Sequence, residues 1–323
     1  MDAFVIQGEK RLRGRVRIHG SKNASLPLMA AALLTDEPVT LRDVPELSDI
    51  ASMAALLRTL GCTAERDGAT RALHLAADPE GPCLAHYDVM RKMRAGICAL
   101  GPLLARRGQA RVSMPGGCAI GDRPVDLHLR GLRALGAEIT LDEGYILAET
   151  PPAGLHGAHV FLGGPNGSTV LGTANVLCAA TLARGRTVIE CAACEPEIED
   201  LGRLLTAMGA RVAGAGTPCI TVEGVDRLGG AEHQVIPDRI EAGTYVMAAA
   251  ITNGDVLLEN FPTSTLTALL DRLNEIGVEL ESTAQERNPG FTGPGWGSNG
   301  RASPGFPSEA HGLPSEATPP RHQ

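Results

Sequence analysis

The chain has few aromatic residues and no long apolar run. Aromatic side chains make up only 3% of its 323 residues, although 43% of the residues are hydrophobic. Ala, Gly, Leu and Val must therefore fill the interior, which suits close packing of helices on sheets better than a β-sandwich. The longest apolar runs, such as LPLMAAALL, are too short to span a bilayer. Because the N-terminal segment also lacks the apolar region of a signal peptide, we expect a cytoplasmic protein.

A basic surface pattern and a metal-binding spacing are also lacking. The net charge is −8 and the basic residues are scattered, which argues against nucleic-acid binding. Eight cysteines in a cytoplasmic chain are expected to be free thiols, and the nine histidines are dispersed. Cys191 and Cys194 form a CxxC without a second ligand pair, so they are either a redox pair or two small residues at a strand end. We therefore expect neither a bound metal nor a cofactor.

A repeated helix–glycine–strand pattern organises the chain. An amphipathic helix end, a glycine and an alternating stretch recur in LLRTLGCTAE, GLRALGAEIT, LLTAMGARVA and RLNEIGVELE. The glycines, which occupy the position of a helix C-cap signal, are Gly61, Gly136, Gly209 and Gly277. A second pattern, in which an apolar helix turns into a strand, occurs in AALLTDEPVTLRDV, GPLLARRGQARVSM, AATLARGRTVIECA and AAAITNGDVLLENF. The chain is therefore predicted to contain four repeat units, with the apolar helices buried between sheets.

The composition changes from about Thr283 onward. Residues 284–323 contain seven prolines and seven glycines and show no apolar periodicity. Such a segment cannot bury a hydrophobic core, so residues 283–323 are predicted to be disordered.

Two cations stand at the openings of apolar helices. Lys22 and Asn23 precede the run LPLMAAALL, and Arg94 opens the segment RAGICALGPLLA. A helix N-terminus presents free N–H groups and a positive dipole end, which suits a phosphate or carboxylate. Lys22 is therefore either part of an anion site or a solvated lysine at an ordinary helix cap. Arg94 is either part of such a site or a surface arginine whose stem packs on the protein.

Two further motifs combine ionisable groups with a glycine-rich loop or an apolar helix. The loop MPGGCAIGDRPVD carries Cys118 near Arg123, so its thiol is either a proton donor under a mobile loop or incidental. The segment VIPDRIEAGTY places Asp238, Arg239 and Glu241 before an apolar helix. These three residues form either an ion-pair corner or a wall of the site.

Taken in order, the motifs GSKNASLP, PGGCAIGDRPVDLH, EPEIEDL and PDRIEAGTY resemble the enolpyruvyl transferase family over residues 1–282. The resemblance implies an α/β fold, namely an inside-out α/β barrel of repeated βαβαββ units. It implies a complete first domain at residues 22–232. A partial second domain would combine residues 1–21 with residues 233–282, ahead of the tail at residues 283–323.

The form of the cysteine loop is similar to the branch of this family that uses a nucleotide sugar. That branch transfers the enolpyruvyl group of phosphoenolpyruvate to the 3′-hydroxyl of UDP-N-acetylglucosamine in peptidoglycan precursor synthesis. The resemblance implies that Cys118 is the general acid and the site of attack by fosfomycin, and that Lys22 and Arg123 hold phosphoenolpyruvate. It implies substrate contacts for Asn23, Arg94, Pro124, Val125, Asp126, Leu127, Thr169, Val170 and Asp238. Cell-wall biogenesis, cell shape, the cell cycle and cell division are the processes implied, without a nucleic-acid or membrane partner.

Two departures from the family pattern are visible. The segment GGPNGSTVLGTANV lacks the basic residue that the family carries before the corresponding helix. The chain has four repeat units where the family has six, so we expect a C-terminal truncation and impaired or absent turnover. The stretch SPGFPSEA resembles the family's loop around a catalytic Asp, with Glu309 at the position of that Asp. The alternative function is that of a non-catalytic remnant that at most binds a nucleotide sugar.

Overall fold

The computed structural model of the chain describes residue 3 and residues 5–116, 124–282 and 300–304. The chain divides into two compact units. The first unit is Ile18–Arg239, and the second combines Met1–Arg17 with Ile240–Gln323. Within the described residues, no helix is both long enough and apolar enough to cross a bilayer.

The helices of the first unit come from all three of its repeats. They are α1 (Lys22–Ala31), α2 (Ser48–Thr59), α3 (Tyr87–Met90), α4 (Leu100–Arg107), α5 (Asp126–Ala134), α6 (Val170–Thr181) and α7 (Pro196–Ala207). Helix α8 (Arg239–Ile251) begins at the last residue of this unit, and α9 (Thr267–Glu275) lies in the second unit. Short 3₁₀ turns occupy Ala32–Leu34, Arg94–Ala99 and Thr263–Thr265.

The described strands form four sheets of four strands each. In spatial order, the three sheets of the first unit are β13 (Ala231–Gln234), β2 (Val39–Arg42), β4 (Ala72–Ala77) and β3 (Cys62–Asp67); β5 (Leu84–Ala85), β6 (Gln109–Ser113), β8 (Tyr145–Glu149) and β7 (Glu138–Asp142); and β9 (His159–Phe161), β10 (Arg186–Glu190), β12 (Cys219–Glu223) and β11 (Arg211–Ala213). The sheet of the second unit is β1 (Arg13–Arg17), β14 (Asp255–Glu259), β16 (Gly300–Pro304) and β15 (Val278–Ser282).

All four sheets have the same pairing pattern. In each sheet the first two strands in spatial order run parallel, and the other two pairs are antiparallel. The α/β fold and its predicted repeats are thereby confirmed.

In each repeat, a glycine forms the turn between one helix and the strand that follows it. Helices α2, α5, α7 and α9 end just before Gly61, Gly136, Gly209 and Gly277, whose φ angles are +78°, +95°, +101° and +83°. A side chain at a positive φ is strained, so the glycine that the sequence shows at each position is required by the backbone.

The apolar helices form the core of the first unit, as predicted. Eight of the ten residues of α1 and ten of the twelve residues of α6 are buried. Small residues let the helices approach closely: a Cβ on Gly131 of α5 would lie 2.3 Å from Val176 Cγ2 of α6. The packing of α5 against α6 therefore depends on a glycine.

Residues 233–239 belong to the first unit, although the sequence analysis assigned them to the partial second domain. Strand β13 pairs with β2 from Ala231↔Val39 to Gln234↔Arg42. The chain continues into a bridge between Gly20 and Pro237. These backbone pairings place the boundaries of the unit at residues 18 and 239 instead of 22 and 232. In the second unit, β1 runs parallel to β14.

Five residues of the tail differ from the predicted disorder of residues 283–323. Gly300–Pro304 forms β16, which pairs antiparallel with β14 and with β15. Backbone pairing needs no apolar periodicity, so composition alone did not reveal this strand.

Candidate functional site

The first candidate cluster lies at the N-terminus of α1. Ser21 caps this helix, because its Oγ accepts a hydrogen bond from the Ala24 N–H at 3.2 Å. The Lys22 N–H donates to Asp238 Oδ2 at 3.1 Å, and Lys22 Nζ lies 3.0 Å from Asp49 Oδ2. The structure thus brings Lys22 and Asp238 together. The Lys22 side chain remains 37% exposed, and the neighbouring Asn23 is also exposed.

A partly buried ion pair supports the segment that carries Asp238. Arg239 donates from Nε and Nη2 to the two carboxylate oxygens of Glu197 in α7, at 3.1 and 3.4 Å. Asp200, also in α7, is fully buried and accepts from His233 Nε2 at 2.9 Å and from the Ile236 N–H at 3.3 Å. Arg239 therefore forms the ion-pair corner that was one of its two interpretations.

The second candidate cluster contains Arg94 and the first turn of α5. Arg94 begins the 3₁₀ turn that leads into α4, while Asp126 and Leu127 begin α5. Burial, and to a smaller extent the Arg94 charge, lower the pKa of His128 to about 4, while the Asp126 charge opposes this shift. Arg94 and Asp126 consequently lie within electrostatic range of the same imidazole. Ahead of α5, Pro124 is exposed and Val125 is buried.

The third candidate cluster is the loop between β9 and α6. Thr169 caps α6, since its Oγ1 accepts from the Gly172 N–H at 3.2 Å, and Val170 is the first helical residue. A Cβ on Gly164 would lie 3.1 Å from Leu127 Cδ1. The structure therefore brings Leu127 beside the loop that Thr169 ends.

A cation missed by the sequence analysis stands next to this loop. Arg130, one turn beyond Leu127 in α5, donates from Nη2 to the Gly163 carbonyl at 2.6 Å. Its guanidinium lies over the ring of Phe161 at 5.8 Å. Although the loop sequence has no basic residue, a neighbouring helix supplies one.

Two buried polar side chains were also missed. Asn175 of α6 and His128 of α5 are 0% and 2% exposed, and they share a hydrogen bond of 2.9 Å. The available signal was a single Asn inside the apolar run VLGTANVLCAAT, because a buried carboxamide must find hydrogen-bond partners.

Three predicted residues lie outside the described part of the chain. They are Cys118, Arg123 and Glu309. Their roles stay predictions.

The seven cysteines that the structure describes are free, as expected. Burial raises the pKa of Cys98 to about 12, and it also raises the pKa of Cys178 above the usual thiol range. Cys191 directly follows β10, which agrees with its interpretation as a residue at a strand end. Across the described residues, no group of three or more His, Cys, Asp or Glu side chains is arranged for a metal ion.

The chain is similar in sequence to named transferases over most of its length. The family model for EPSP synthase (3-phosphoshikimate 1-carboxyvinyltransferase) matches residues 6–291. A UDP-N-acetylglucosamine 1-carboxyvinyltransferase of Tolumonas auensis is 50% identical over 87% of this chain and 65% of the relative. The proteins of that name from Myxococcus xanthus and Nitratidesulfovibrio vulgaris are 51% and 47% identical, over 87% and 96% of this chain and 66% and 73% of the relatives. The chain thus spans about two thirds of the length of the first of these relatives.

Solved structures show the same fold. The enolpyruvyl transferase NikO from Streptomyces tendae has a TM-score of 0.77 and 20% identity, over 92% of this chain and 67% of that chain. EPSP synthase from Acinetobacter baumannii has a TM-score of 0.68 and 21% identity, over 91% of this chain and 64% of that chain. The predicted resemblance in fold is therefore confirmed.

Proposed function

Because the chain belongs to the EPSP synthase (3-phosphoshikimate 1-carboxyvinyltransferase) family of enolpyruvyl transferases, we propose that it acts on phosphoenolpyruvate and UDP-N-acetylglucosamine. The reaction transfers the enolpyruvyl group to the 3′-hydroxyl of the nucleotide sugar and releases phosphate. The observation that carries this proposal is the 46–51% identity to relatives named UDP-N-acetylglucosamine 1-carboxyvinyltransferase.

The N-terminus of α1 suits the phosphoenolpyruvate side of this reaction. Phosphoenolpyruvate carries a phosphate and a carboxylate, and both groups favour free backbone N–H donors and a nearby cation. Lys22 supplies an accessible ammonium group at this helix end, and Asp49 fixes its position. Asn23, exposed beside Lys22, offers a carboxamide that is able to contact either substrate.

The starts of α5 and α6 suit the nucleotide-sugar side. A nucleotide diphosphate needs a cation or helix end for its phosphates, and an apolar surface with hydrogen-bond acceptors for its base. Arg94 supplies a cation, Leu127 an apolar surface and Asp126 an exposed carboxylate. Pro124, Val125, Thr169 and Val170 complete the proposed pocket.

The proposed chemistry is an addition followed by an elimination. The 3′-oxygen of the sugar bonds to C2 of phosphoenolpyruvate while Cys118 gives its proton to C3, and the sugar hydroxyl loses its proton to a base. Loss of one proton from C3 of the tetrahedral intermediate then expels phosphate and restores the double bond. Lys22 and Arg123 stabilise the charge on the phosphate throughout. In this role the protein works in the cytoplasm at the start of peptidoglycan synthesis, and fosfomycin alkylates Cys118.

The test is a measurement of phosphate release from phosphoenolpyruvate with two alternative acceptors. We expect release, even where turnover is impaired, that requires UDP-N-acetylglucosamine, does not respond to 3-phosphoshikimate, and disappears in Cys118→Ala. Release that requires 3-phosphoshikimate, or that persists in Cys118→Ala, would contradict the proposal. Calorimetric binding of UDP-N-acetylglucosamine without phosphate release would identify the chain as the non-catalytic alternative.

A further inference from the structure

One buried side chain contacts the first turns of two other helices. Ile97 and Gly101 are four residues apart, the spacing at which an α-helix joins a carbonyl to an N–H. The side chain of Asn175 contacts both groups: its Oδ1 accepts from the Gly101 N–H at 2.7 Å, and its Nδ2 donates to the Ile97 carbonyl at 2.9 Å. It inserts where the 3₁₀ turn Arg94–Ala99 meets α4.

Its third partner is an imidazole. Asn175 Nδ2 lies 2.9 Å from His128 Nδ1. The reverse orientation of the carboxamide would place donor against donor at Gly101 and acceptor against acceptor at Ile97, so this orientation is fixed. Both N–H groups of Nδ2 are then donors. His128 Nδ1 is consequently an acceptor and the ring proton resides on Nε2. A neutral ring agrees with the lowering of the pKa of His128 by burial.

The contact depends on an unusually close approach of two backbones. A Cβ on Gly101 would lie 2.3 Å from the backbone oxygen of Asn175 and 3.0 Å from its Oδ1. Glycine at position 101 thus lets the carboxamide reach the helix. The hydrogen bonds of Asn175 thus depend on glycine at position 101, in a core that is otherwise apolar.

Two partners of Asn175, and Asn175 itself, belong to segments that carry candidate site residues. Ile97 lies in the turn that Arg94 begins, and His128 follows Asp126 and Leu127 in the first turn of α5. Asn175 itself lies in α6, whose N-terminus is capped by Thr169. The carboxamide therefore connects, from within the core, the three segments that make up the nucleotide-sugar side of the site.

We propose that Asn175 is the positioning residue that holds Arg94, the first turn of α5 and the start of α6 in register for the nucleotide sugar. This inference rests on the proposed function. An apolar residue of similar size would leave the Gly101 N–H, the Ile97 carbonyl and His128 without their partner. The three segments would then lose their fixed spacing, and affinity for the nucleotide sugar would fall.

The test is calorimetric titration of UDP-N-acetylglucosamine into the full chain. Asn175→Leu keeps the branching at Cγ, with a somewhat larger side chain, and removes all three hydrogen bonds. We expect it to weaken binding by about tenfold or more, the effect of losing such partners. Leu177→Ala and Thr181→Val are controls: both alter fully buried residues of α6 that lack these contacts. They should lower the denaturant midpoint while changing the affinity by no more than about twofold. A purely structural role would predict unchanged affinity in all three variants.

A second pair of variants covers the case in which Asn175→Leu fails to fold. His128→Asn keeps an acceptor at the δ position, whereas His128→Leu removes it. We expect His128→Asn to retain most of the affinity that His128→Leu loses. Equal affinities in the two variants would overturn the proposal.

Failure of the proposed function has a different signature. The original chain would then bind no UDP-N-acetylglucosamine, and neither would any variant at position 175. Hydrogen exchange decides the inference in that case. The Gly101 amide and the amides at the start of α5 should exchange faster in Asn175→Leu than in Thr181→Val, and equal exchange would refute the linkage.

Discussion

At the scale of single residues, Lys22 places a positive charge at the positive end of a helix dipole. Cations are unfavourable at that position unless an anion compensates them. Asp49 provides partial compensation at 3.0 Å, but both side chains are more than a third exposed, at 37% and 35%. Exposed pairs of this kind contribute only about 0–1 kcal/mol to stability. Stability of the fold therefore explains little of this position, and we propose an anionic ligand as its reason.

Replacing Lys22 by Met should separate these two roles. We expect Lys22→Met to weaken phosphoenolpyruvate binding by about tenfold or more, because a charge-assisted contact is lost. Its free energy of unfolding should change by less than about 1 kcal/mol. Asp49→Asn breaks the same ion pair but keeps the cation, so it should bind the anion at least as well as the original chain. Calorimetry and urea unfolding measure both quantities, and wild-type anion binding by Lys22→Met would contradict the assignment.

His128 makes stability depend on acidity in a defined window. Burial, followed by the Arg94 charge, lowers its pKa from 6.5 to about 4. In the window between these two values the unfolded chain binds more protons than the folded chain, so stability is complete above pH 6.5 and is lost as the pH falls toward 4. From the linkage relation we expect a loss of roughly 2 kcal/mol between pH 6.5 and pH 5. Urea unfolding of the original chain and of His128→Asn at both pH values tests this, and equal pH dependence would exclude His128 as the cause.

At the scale of elements, the glycines that follow α2, α5, α7 and α9 are subject to two separable constraints, namely backbone conformation and the space available for a side chain. Gly209 has a φ of +101° and no atom within 4 Å of an added Cβ, whereas Gly61 has a φ of +78° and the Gly81 Cα at only 2.9 Å. Gly68 also has open space, but its φ is outside the positive range. These three positions therefore separate backbone strain from crowding.

Alanine substitutions at these positions should give a graded series. Gly68→Ala should be nearly neutral, and Gly209→Ala should cost about 1–2 kcal/mol from the left-handed backbone alone. Gly61→Ala should cost more, because the strain is joined by a steric clash. Denaturant unfolding gives the three free energies, and an equal cost for Gly68→Ala and Gly209→Ala would contradict the argument from φ.

Sequence patterns predicted the elements well because their causes are local. Apolar periodicity located the helices, and the four glycines located the turns into β3, β7, β11 and β15. The pairing of β13 with β2 could not be predicted in this way, since it joins residues about 190 positions apart and depends on the whole unit. The same reason applies to the site: Lys22 was visible as an odd cation before an apolar run, but the contact of Asn175 with Gly101 exists only once α4 and α6 have packed.

At the scale of the whole molecule, α8 differs from the equivalent helices of the first unit. Its buried residues are Ala242, Gly243, Val246 and Ala249. Its other faces expose Ile240, Tyr245, Met247 and Ile251, at 54%, 38%, 50% and 87%. In α1 and α6 nearly every residue is buried. Clustered apolar exposure of this kind favours association with another surface.

We therefore expect the chain to self-associate as its concentration rises. The double variant Met247→Lys and Ile251→Lys should weaken this association by about tenfold or more, because charges oppose burial of the surface. Leu141→Lys is the matched control, since Leu141 is a similarly exposed apolar residue of the first unit, at 61%. Sedimentation velocity at several concentrations measures the effect. A monomer at all concentrations, or equal effects of the control and the double variant, would contradict the prediction.

The origin of the outer strands in two sheets bears on how the protein is made. Strand β2 obtains its parallel neighbour from residues 231–234, and β1 obtains its neighbour from residues 255–259. A ribosome that adds about 5–20 residues per second needs roughly 10–50 s to extend the chain from one partner to the other. During that interval the nascent polypeptide presents unpaired strand edges, so its early segments are open to pairing with a neighbouring nascent chain, and slower synthesis would prolong that exposure.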